Sequence, residues 1–183
     1  MTPFIETFTG TKFQPLEPHV GTIYIEDIAH ALSQQCRFSG HTRRFYSVAE
    51  HSCRVSALLS SWGEDEDIQL WGLLHDASEA YLVDLPTPLK THPDIGEGYR
   101  RAERTLMRAI CERFELPQRE PSRVAIADAV MLATEVRDLM PNVKAHWEAL
   151  VVRPDEVGIS PWLPRVAEEV FLKRFFSLKG RRT

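Results

Sequence analysis

Two strongly polar residues, His75 and Asp76, interrupt an otherwise apolar stretch of the chain at 70–82. The spacing of the apolar residues predicts a helix over about 66–83, which two prolines shortly afterwards prevent from continuing. Burying an imidazole and a carboxylate among hydrocarbon side chains is costly unless both groups find partners. A divalent metal ion satisfies both at once, so the chain is expected to fold around a polar centre.

One adjacent pair does not complete a coordination sphere, and the chain supplies two further polar residues on apolar helix faces. Helical spacing over 47–62 puts His51 on a buried stripe, and the same spacing over 122–139 puts Asp128 where a leucine is expected. Each residue alone is more often a hydrogen-bonded core residue than a ligand. Their combination favours a metal site with the ligands His51, His75, Asp76 and Asp128.

This ligand set offers two imidazole nitrogens and two carboxylates, whose charges together neutralise a divalent cation. It suits one divalent transition metal, Co, Mn, Zn, Ni or Fe, better than it suits Mg²⁺. A second ion, a substrate-associated Mg²⁺, is a further expectation.

The order His…His-Asp…Asp resembles the HD-domain superfamily of metal-dependent phosphohydrolases. The segment His-Asp-Ala-Ser-Glu at 75–79, followed by Asp-Leu-Pro-Thr-Pro-Leu-Lys at 84–90, is similar to one branch of that superfamily. This branch contains small 5′-deoxyribonucleotidases and phage-type dATP triphosphohydrolases. The similarity runs from about Ile25 to about Met140 and so covers most of the chain.

The helical spacing and the resemblance together predict an all-α fold, a single-domain HD-domain helical bundle of about five to seven helices. Residues 1–23 are expected to form an irregular or extended leader rather than a helix, because they are rich in Thr, Pro and Gly, and no strand pair is expected along the chain. The HD core is expected over 25–140, a connection over 141–163 and a C-terminal helix over 164–178.

The resemblance also implies roles for residues around the metal. Glu79 falls on the family's catalytic carboxylate, and Asp84 falls on a second acidic residue near the attacking water. Arg37 and Lys90 fall near positions that touch phosphate in these relatives. Helical spacing independently puts Glu79 on the face of His75, one turn away, although an exposed helix glutamate is the alternative interpretation.

The loop at 38–45 is dense in cationic and aromatic side chains. Phe38 and Arg43 are therefore further candidates for substrate binding, by stacking on a base or by neutralising phosphate. Solvated surface arginines are the alternative. Because this loop could hold several phosphates, it favours a deoxynucleoside triphosphate substrate.

Three functions follow as alternatives. The first is a dATP-type triphosphohydrolase that releases deoxynucleoside and triphosphate. The second is a 5′-deoxyribonucleotidase that releases phosphate from deoxynucleoside monophosphates, since the same ligands serve either reaction. The third is a sensor or scaffold that binds metal and nucleotide without catalysis, which an intact Glu79 and Asp84 argue against. A two-iron oxidase would need additional histidines that have no evident place in the sequence.

The composition and net charge of the chain limit the kinds of partner that it is expected to bind. The chain has 183 residues, 43% of them apolar, which is enough for one core and short for two. Its net charge of −4 argues against binding nucleic acid, and no apolar run approaches the ~20 residues of a membrane span. Three cysteines in no paired motif, and first residues that are neither basic nor continuously apolar as in a targeting signal, suit the cytoplasm. The resemblance implies a homo-oligomer, dimer or hexamer, for which the aromatic C-terminal helix is a candidate contact surface.

Overall fold

The chain is helical along most of its length. The computed structural model describes residues 3–141 and 152–180. Within these ranges it contains eight α-helices, two of them single turns of four residues. Their bounds are α1 Ile25–Gln34, α2 Val48–Ser61, α3 Glu66–Leu74, α4 Glu79–Leu82, α5 Thr87–Lys90, α6 Pro93–Phe114, α7 Ser122–Leu139 and α8 Pro164–Gly180. The all-α prediction is confirmed, and most predicted helix ends lie within two residues of the observed ones.

Helix α2 is the central element, and it packs against α1, α3, α7 and α8. It begins where the sequence predicts, because Ser47 Oγ accepts a hydrogen bond of 3.1 Å from the backbone N–H of Glu50. The carboxylate of Glu50 accepts from Arg54 Nη2, at 2.8 Å, and from the backbone N–H of Trp162, at 2.7 Å. Glu50 thereby ties the segment before α8 to the core.

The aromatic face of α8 is used within the chain. Phe171 and Phe175 are buried, and Arg174 Nη2 donates to Gln69 Oε1 at 2.7 Å. This face covers α1, α2 and α3, so it is not a free surface for a second copy. The sequence showed that the face was apolar but not that the chain itself would cover it.

The expectation that no strand pair forms is wrong in one detail. Residues Ile5–Glu6 and Lys12–Phe13 form a short antiparallel pair. Buried Asp27 of α1 holds the turn between them, because its carboxylate accepts from the backbone N–H of Thr9 at 2.7 Å and from its hydroxyl at 3.0 Å. The pair depends on this tertiary contact, which no local pattern in the leader predicts.

The predicted helix over 66–83 is also wrong in its continuity. It ends at Leu74, and α4 starts only at Glu79. Between them the backbone makes tighter bonds, such as Ala77 N–H to the Leu74 carbonyl at 2.9 Å. Here the imidazole of His75 competes with backbone N–H groups for a helix carbonyl, since its Nδ1–H donates to the Gly72 carbonyl at 2.8 Å. The interruption therefore falls on the polar pair itself.

The two segments outside the longer helices are less regular. The segment 84–90 ends in the single turn α5. Residues 152–163 of the predicted connection contain no helix, and Ile159 and Trp162 pack against the core. The rest of that connection, 142–151, lies outside the described residues. Among the described residues, no helix combines the length and apolar character that crossing a membrane requires.

Candidate metal centre and adjoining cavity

Three of the four predicted ligands, His51, His75 and Asp76, come together from α2 and the interruption between α3 and α4, and Asp128 of α7 lies beside the two histidines. Ligand atoms of His51, His75 and Asp76 all lie within 4.8 Å of one another. The two imidazole Nε2 atoms are 3.2 Å apart, and Asp76 Oδ2 is 3.2 Å from that of His75. Asp128 Oδ1 lies 3.1 Å from His51 Nε2 and 3.9 Å from His75 Nε2. Donor atoms about 2.1 Å from one shared ion are separated by similar distances, roughly 3–4 Å.

The hydrogen bonds on the far side of each imidazole fix the face that it turns to the cluster. A carbonyl oxygen only accepts, so His75 Nδ1 must carry the proton that it donates to Gly72. His51 Nδ1 is 2.6 Å from a carboxylate oxygen of Glu135 and donates in the same way. In the neutral rings, both Nε2 lone pairs therefore face each other and the two aspartates. Two lone pairs and two carboxylates make a site that fits a divalent cation.

The charges in the cluster perturb one another strongly. Burial lowers the pKa of His75, but the carboxylates of Asp76 and Asp128 outweigh it and raise that pKa to about 10. Burial raises the pKa of Asp128, yet His51 and His75 bring it down to about 2. The pKa of Asp76 also stays below its usual range, because His75, His51 and Arg37 outweigh the effect of burial. In the metal-free protein at neutral pH, a proton on His75 Nε2 therefore lies where a cation would bind.

A cavity of about 690 Å³ opens beside this cluster. Asp76 and Asp128 line it, so the cavity reaches the centre directly. Five other predicted site residues also line it: Arg37, Phe38, Glu79, Asp84 and Lys90. The remaining wall is largely apolar, with Leu85, Leu132 and Met140 among its residues.

Arg43 does not line this cavity, which corrects its predicted place in the substrate site. Its Nη2 donates to the Pro141 carbonyl at 2.9 Å, and its backbone N–H donates to the Leu139 carbonyl at 2.9 Å. Both contacts fasten the loop to the end of α7. The loop turns because Phe38, Ser39 and Gly40 all have positive φ angles of 50° to 79°. Arg43 follows this turn and reaches the end of α7 instead of the cavity, which residue spacing alone does not reveal.

Glu79 is buried at the cavity wall beside Lys90. Its Oε1 accepts from Lys90 Nζ at 3.0 Å, and the same Nζ lies 3.1 Å from Glu103. Within the described residues, Glu79 Oε2 is buried without a hydrogen-bond partner. Burial and the charges of Asp76 and Asp84 raise the pKa of Glu79 to about 8, although Lys90 works in the opposite direction. Glu79 therefore carries its proton at neutral pH in the metal-free protein.

This raised pKa predicts how stability depends on pH. The ordinary pKa of 4.5 applies to the unfolded chain, so between pH 4.5 and about 8 the folded protein holds a proton that the unfolded chain has lost. The stability of metal-free protein should therefore fall as the pH rises through this window. In Glu79→Gln the fall should be shallower, which thermal unfolding at a series of pH values measures. Equal slopes for the two proteins would contradict the raised pKa.

Sequence reasoning gave no role to two residues that shape the site. The side chain of Gln35 donates to the backbone carbonyl of Glu79 at 3.0 Å and accepts from the backbone N–H of Asp84 at 3.2 Å. It therefore links the two ends of the segment 79–84. Glu135 is fully buried beneath the cluster. A signal for Glu135 existed, since it lies seven residues, two helical turns, after Asp128 on one stripe. Gln35 left no such signal, because its partners are backbone atoms.

Gly96 allows α6 to approach the end of α5. A Cβ at Gly96 would overlap the carbonyl of Lys90, which also accepts a hydrogen bond from Arg100. Gly96→Ala should therefore displace Lys90 and lower the free energy of unfolding by about 1–3 kcal/mol, measured by urea denaturation. Gly98→Ala is the matched control on the same helix, because nothing lies within 4 Å of its added Cβ. That substitution should stabilise the protein by about 0.5–1 kcal/mol, and equal losses would contradict the close approach.

Comparisons with known proteins identify the family of this chain. The model of the HD domain family matches residues 48–142, which contain all four predicted ligands. An uncharacterized protein of Escherichia coli (strain K12), YfdR, is 38% identical over 181 residues, 98% of this chain and 97% of its own. A protein of Photorhabdus temperata named 5′-deoxynucleotidase yfbR is 29% identical over 138 residues, 74% of this chain and 65% of its own. A 5′-deoxynucleotidase of Vibrio atlanticus (strain LGP32) is 36% identical over 84 residues, 37% of this chain and 43% of its own.

The fold and the site define a class of protein, namely an all-α domain in which a cluster of histidine and aspartate could bind a divalent metal beside an open cavity. The chain belongs to the HD-domain family. It is accordingly a metal-dependent phosphohydrolase, and the predicted resemblance to the branch that includes 5′-deoxynucleotidases is confirmed.

Proposed function

We propose that the protein is a 5′-deoxynucleotidase, which hydrolyses a deoxynucleoside 5′-monophosphate to the deoxynucleoside and inorganic phosphate. The observation that carries this proposal is the charge of the cavity wall. Of the described residues that line it, Arg37 and Lys90 are the permanent cations, and each already faces carboxylates. One phosphoryl group matches this limited positive charge, whereas a triphosphate would carry more negative charge towards Asp76, Glu79 and Asp84.

The names of the relatives support the same choice over the triphosphohydrolase that the sequence favoured. Three of the matching proteins are named 5′-deoxynucleotidase. The triphosphate expectation depended on the arginine-rich loop at 38–45, and Arg43 of that loop is bonded to the end of α7 instead. We therefore adopt the monophosphate as the substrate.

In this proposal His51, His75, Asp76 and Asp128 hold one divalent transition metal, Co, Mn, Zn, Ni or Fe. When bound there, the ion would polarise a phosphate oxygen and lower the pKa of a water molecule. A second, substrate-associated Mg²⁺ stays a prediction.

The chain's own residues supply the remaining chemistry. Arg37 and Lys90 receive the phosphate oxygens, and Phe38 at the cavity wall contacts the sugar or base. Water attacks phosphorus, the bond from phosphorus to the 5′ oxygen breaks, and Glu79 gives its proton to that oxygen as it leaves. Asp84 orients the attacking water and accepts its proton. The products are one deoxynucleoside and one inorganic phosphate.

The proposal also covers the location of the enzyme and its assembly. We place the enzyme in the cytoplasm, where nucleotides are available to it, and expect it to form a homo-oligomer without nucleic-acid or membrane partners. Since the face of α8 that carries Phe171 and Phe175 covers the chain's own core, the contact surface between copies lies outside that face. Light scattering after size-exclusion chromatography measures the assembly.

Phosphorus NMR of the reaction products tests the function. Protein reconstituted with Mn²⁺ or Co²⁺ is incubated separately with deoxynucleoside monophosphates, ribonucleoside monophosphates and deoxynucleoside triphosphates. We expect orthophosphate from the deoxynucleoside monophosphates and little turnover of the others. Release of tripolyphosphate from a deoxynucleoside triphosphate would establish the alternative reaction. No turnover of any compound by metal-loaded protein would overturn both.

A further inference from the structure

Glu135 of α7 is a fully buried carboxylate with both oxygens committed to other site residues. Its Oε1 lies 2.6 Å from His51 Nδ1, and its Oε2 accepts from Arg37 Nε at 3.0 Å. His51 belongs to the metal cluster, and Arg37 lines the cavity. One side chain therefore contacts both the metal side and the phosphate side of the site.

Each of the two contacts fixes the orientation of one site side chain. The contact with His51 keeps the proton of the ring on Nδ1 and turns the Nε2 lone pair towards the cluster. The contact with Arg37 holds the guanidinium by Nε, which leaves its outer nitrogens to face the centre. One of them, Nη1, lies 3.5 Å from Asp76 Oδ2. Arg37 is thus held between Glu135 and an aspartate of the cluster.

The charge of Glu135 is essential to this arrangement. Its two oxygens face two different donors, because Oε1 accepts from His51 Nδ1 and Oε2 accepts from Nε of Arg37, a permanent cation. An ionised carboxylate accepts from two donors at once, whereas the amide of glutamine has one accepting oxygen and presents N–H groups on its other side. A glutamine here would leave either His51 or Arg37 facing another donor.

We propose that Glu135 is a positioning residue that sets the metal ligand His51 and the phosphate-binding Arg37 together, so that metal affinity and phosphate affinity depend on the same carboxylate. This inference rests on the proposed function for the role of Arg37. Glu135 touches neither the metal nor the substrate. It acts through the two side chains that do.

The test is Glu135→Gln, with binding measured separately from turnover. Isothermal titration with Mn²⁺ alone should show a dissociation constant raised about 10–100-fold. Titration of the Mn²⁺-saturated protein with inorganic phosphate should show weaker binding as well, and with a deoxynucleoside monophosphate KM should rise more than kcat falls. Arg37→Ala should weaken phosphate binding much less in the Glu135→Gln background than in the wild type.

Glu50→Gln is the matched control, because Glu50 is equally buried and bonded to an arginine but lies away from the cavity. It should lower Tm and leave both affinities unchanged. If Glu135→Gln does not fold, Glu135→Asp takes its place, since the shorter side chain keeps the charge but does not reach both partners. The proposal is overturned if either affinity stays at the wild-type value, or if Glu50→Gln weakens both equally. Both titrations are independent of turnover, so a protein that hydrolyses nothing would refute the function and still test Glu135.

Discussion

Replacing Asp76 with asparagine should remove the metal and lower kcat/KM by at least about 10³-fold. Asp76 Oδ2 lies 3.2 Å from His75 Nε2 and 3.7 Å from His51 Nε2, so it faces both imidazoles of the centre. The neutral amide removes one of the two negative charges that balance a divalent cation. A loss of 10³ corresponds to about 4 kcal/mol of transition-state stabilisation, which is within the range that a bound metal supplies. Elemental analysis and the hydrolysis assay measure the two effects.

Asp27→Asn is the control for this substitution. Asp27 is also buried, but its carboxylate anchors the backbone and hydroxyl of Thr9 and lies outside the metal cluster. The control should lose stability and keep both metal and activity. Full metal content and normal turnover in Asp76→Asn would show that the cluster is not the metal site.

Glu79→Gln should lower kcat by about 10²–10⁴-fold while the metal content stays at the wild-type level. Glutamine keeps the size of the side chain and its contact with Lys90, but it carries no acidic proton for the leaving oxygen. Because Glu79 is not among the ligands, the centre should load normally. Steady-state kinetics on metal-saturated protein, with the metal content of each sample determined, separate the two effects.

Glu103→Gln provides the comparison, since Glu103 is the other carboxylate that pairs with Lys90 Nζ. It should change kcat only several-fold, because Glu79 remains in place. A wild-type kcat in Glu79→Gln would exclude it as the proton donor. Loss of metal from that variant would mean that it supports the centre instead.

The helices of this protein could be predicted from local patterns. The apolar period of 3.6 residues located α2, α7 and α8. Helical hydrogen bonds form between near neighbours, so such elements depend mainly on short-range sequence. The interruption at 75–78 was missed because it comes from a side chain bonding to a backbone carbonyl, which the period does not encode.

The candidate site was predictable to a similar degree. His51, His75, Asp76 and Asp128 were conspicuous as polar residues on apolar faces, and such residues need partners wherever the chain folds. Arg43 was misplaced and Glu135 received no role. The sequence does not indicate which group an exposed arginine will bond to. It likewise does not indicate which two hydrogen-bond donors a buried glutamate on a helix stripe will contact.

The sequence by itself therefore determined the all-α class, most helix ends and the four polar groups that had to meet. Only the tertiary structure decided how they meet: the turn that separates α3 from α4, the buried carboxylate that links His51 to Arg37, and the small number of cations that reach the cavity. The reason is the separation in sequence between the residues that interact. Helix formation and solvent avoidance are encoded residue by residue, whereas a pocket's charge and hydrogen bonds depend on side chains that lie far apart in the chain and become neighbours only after packing.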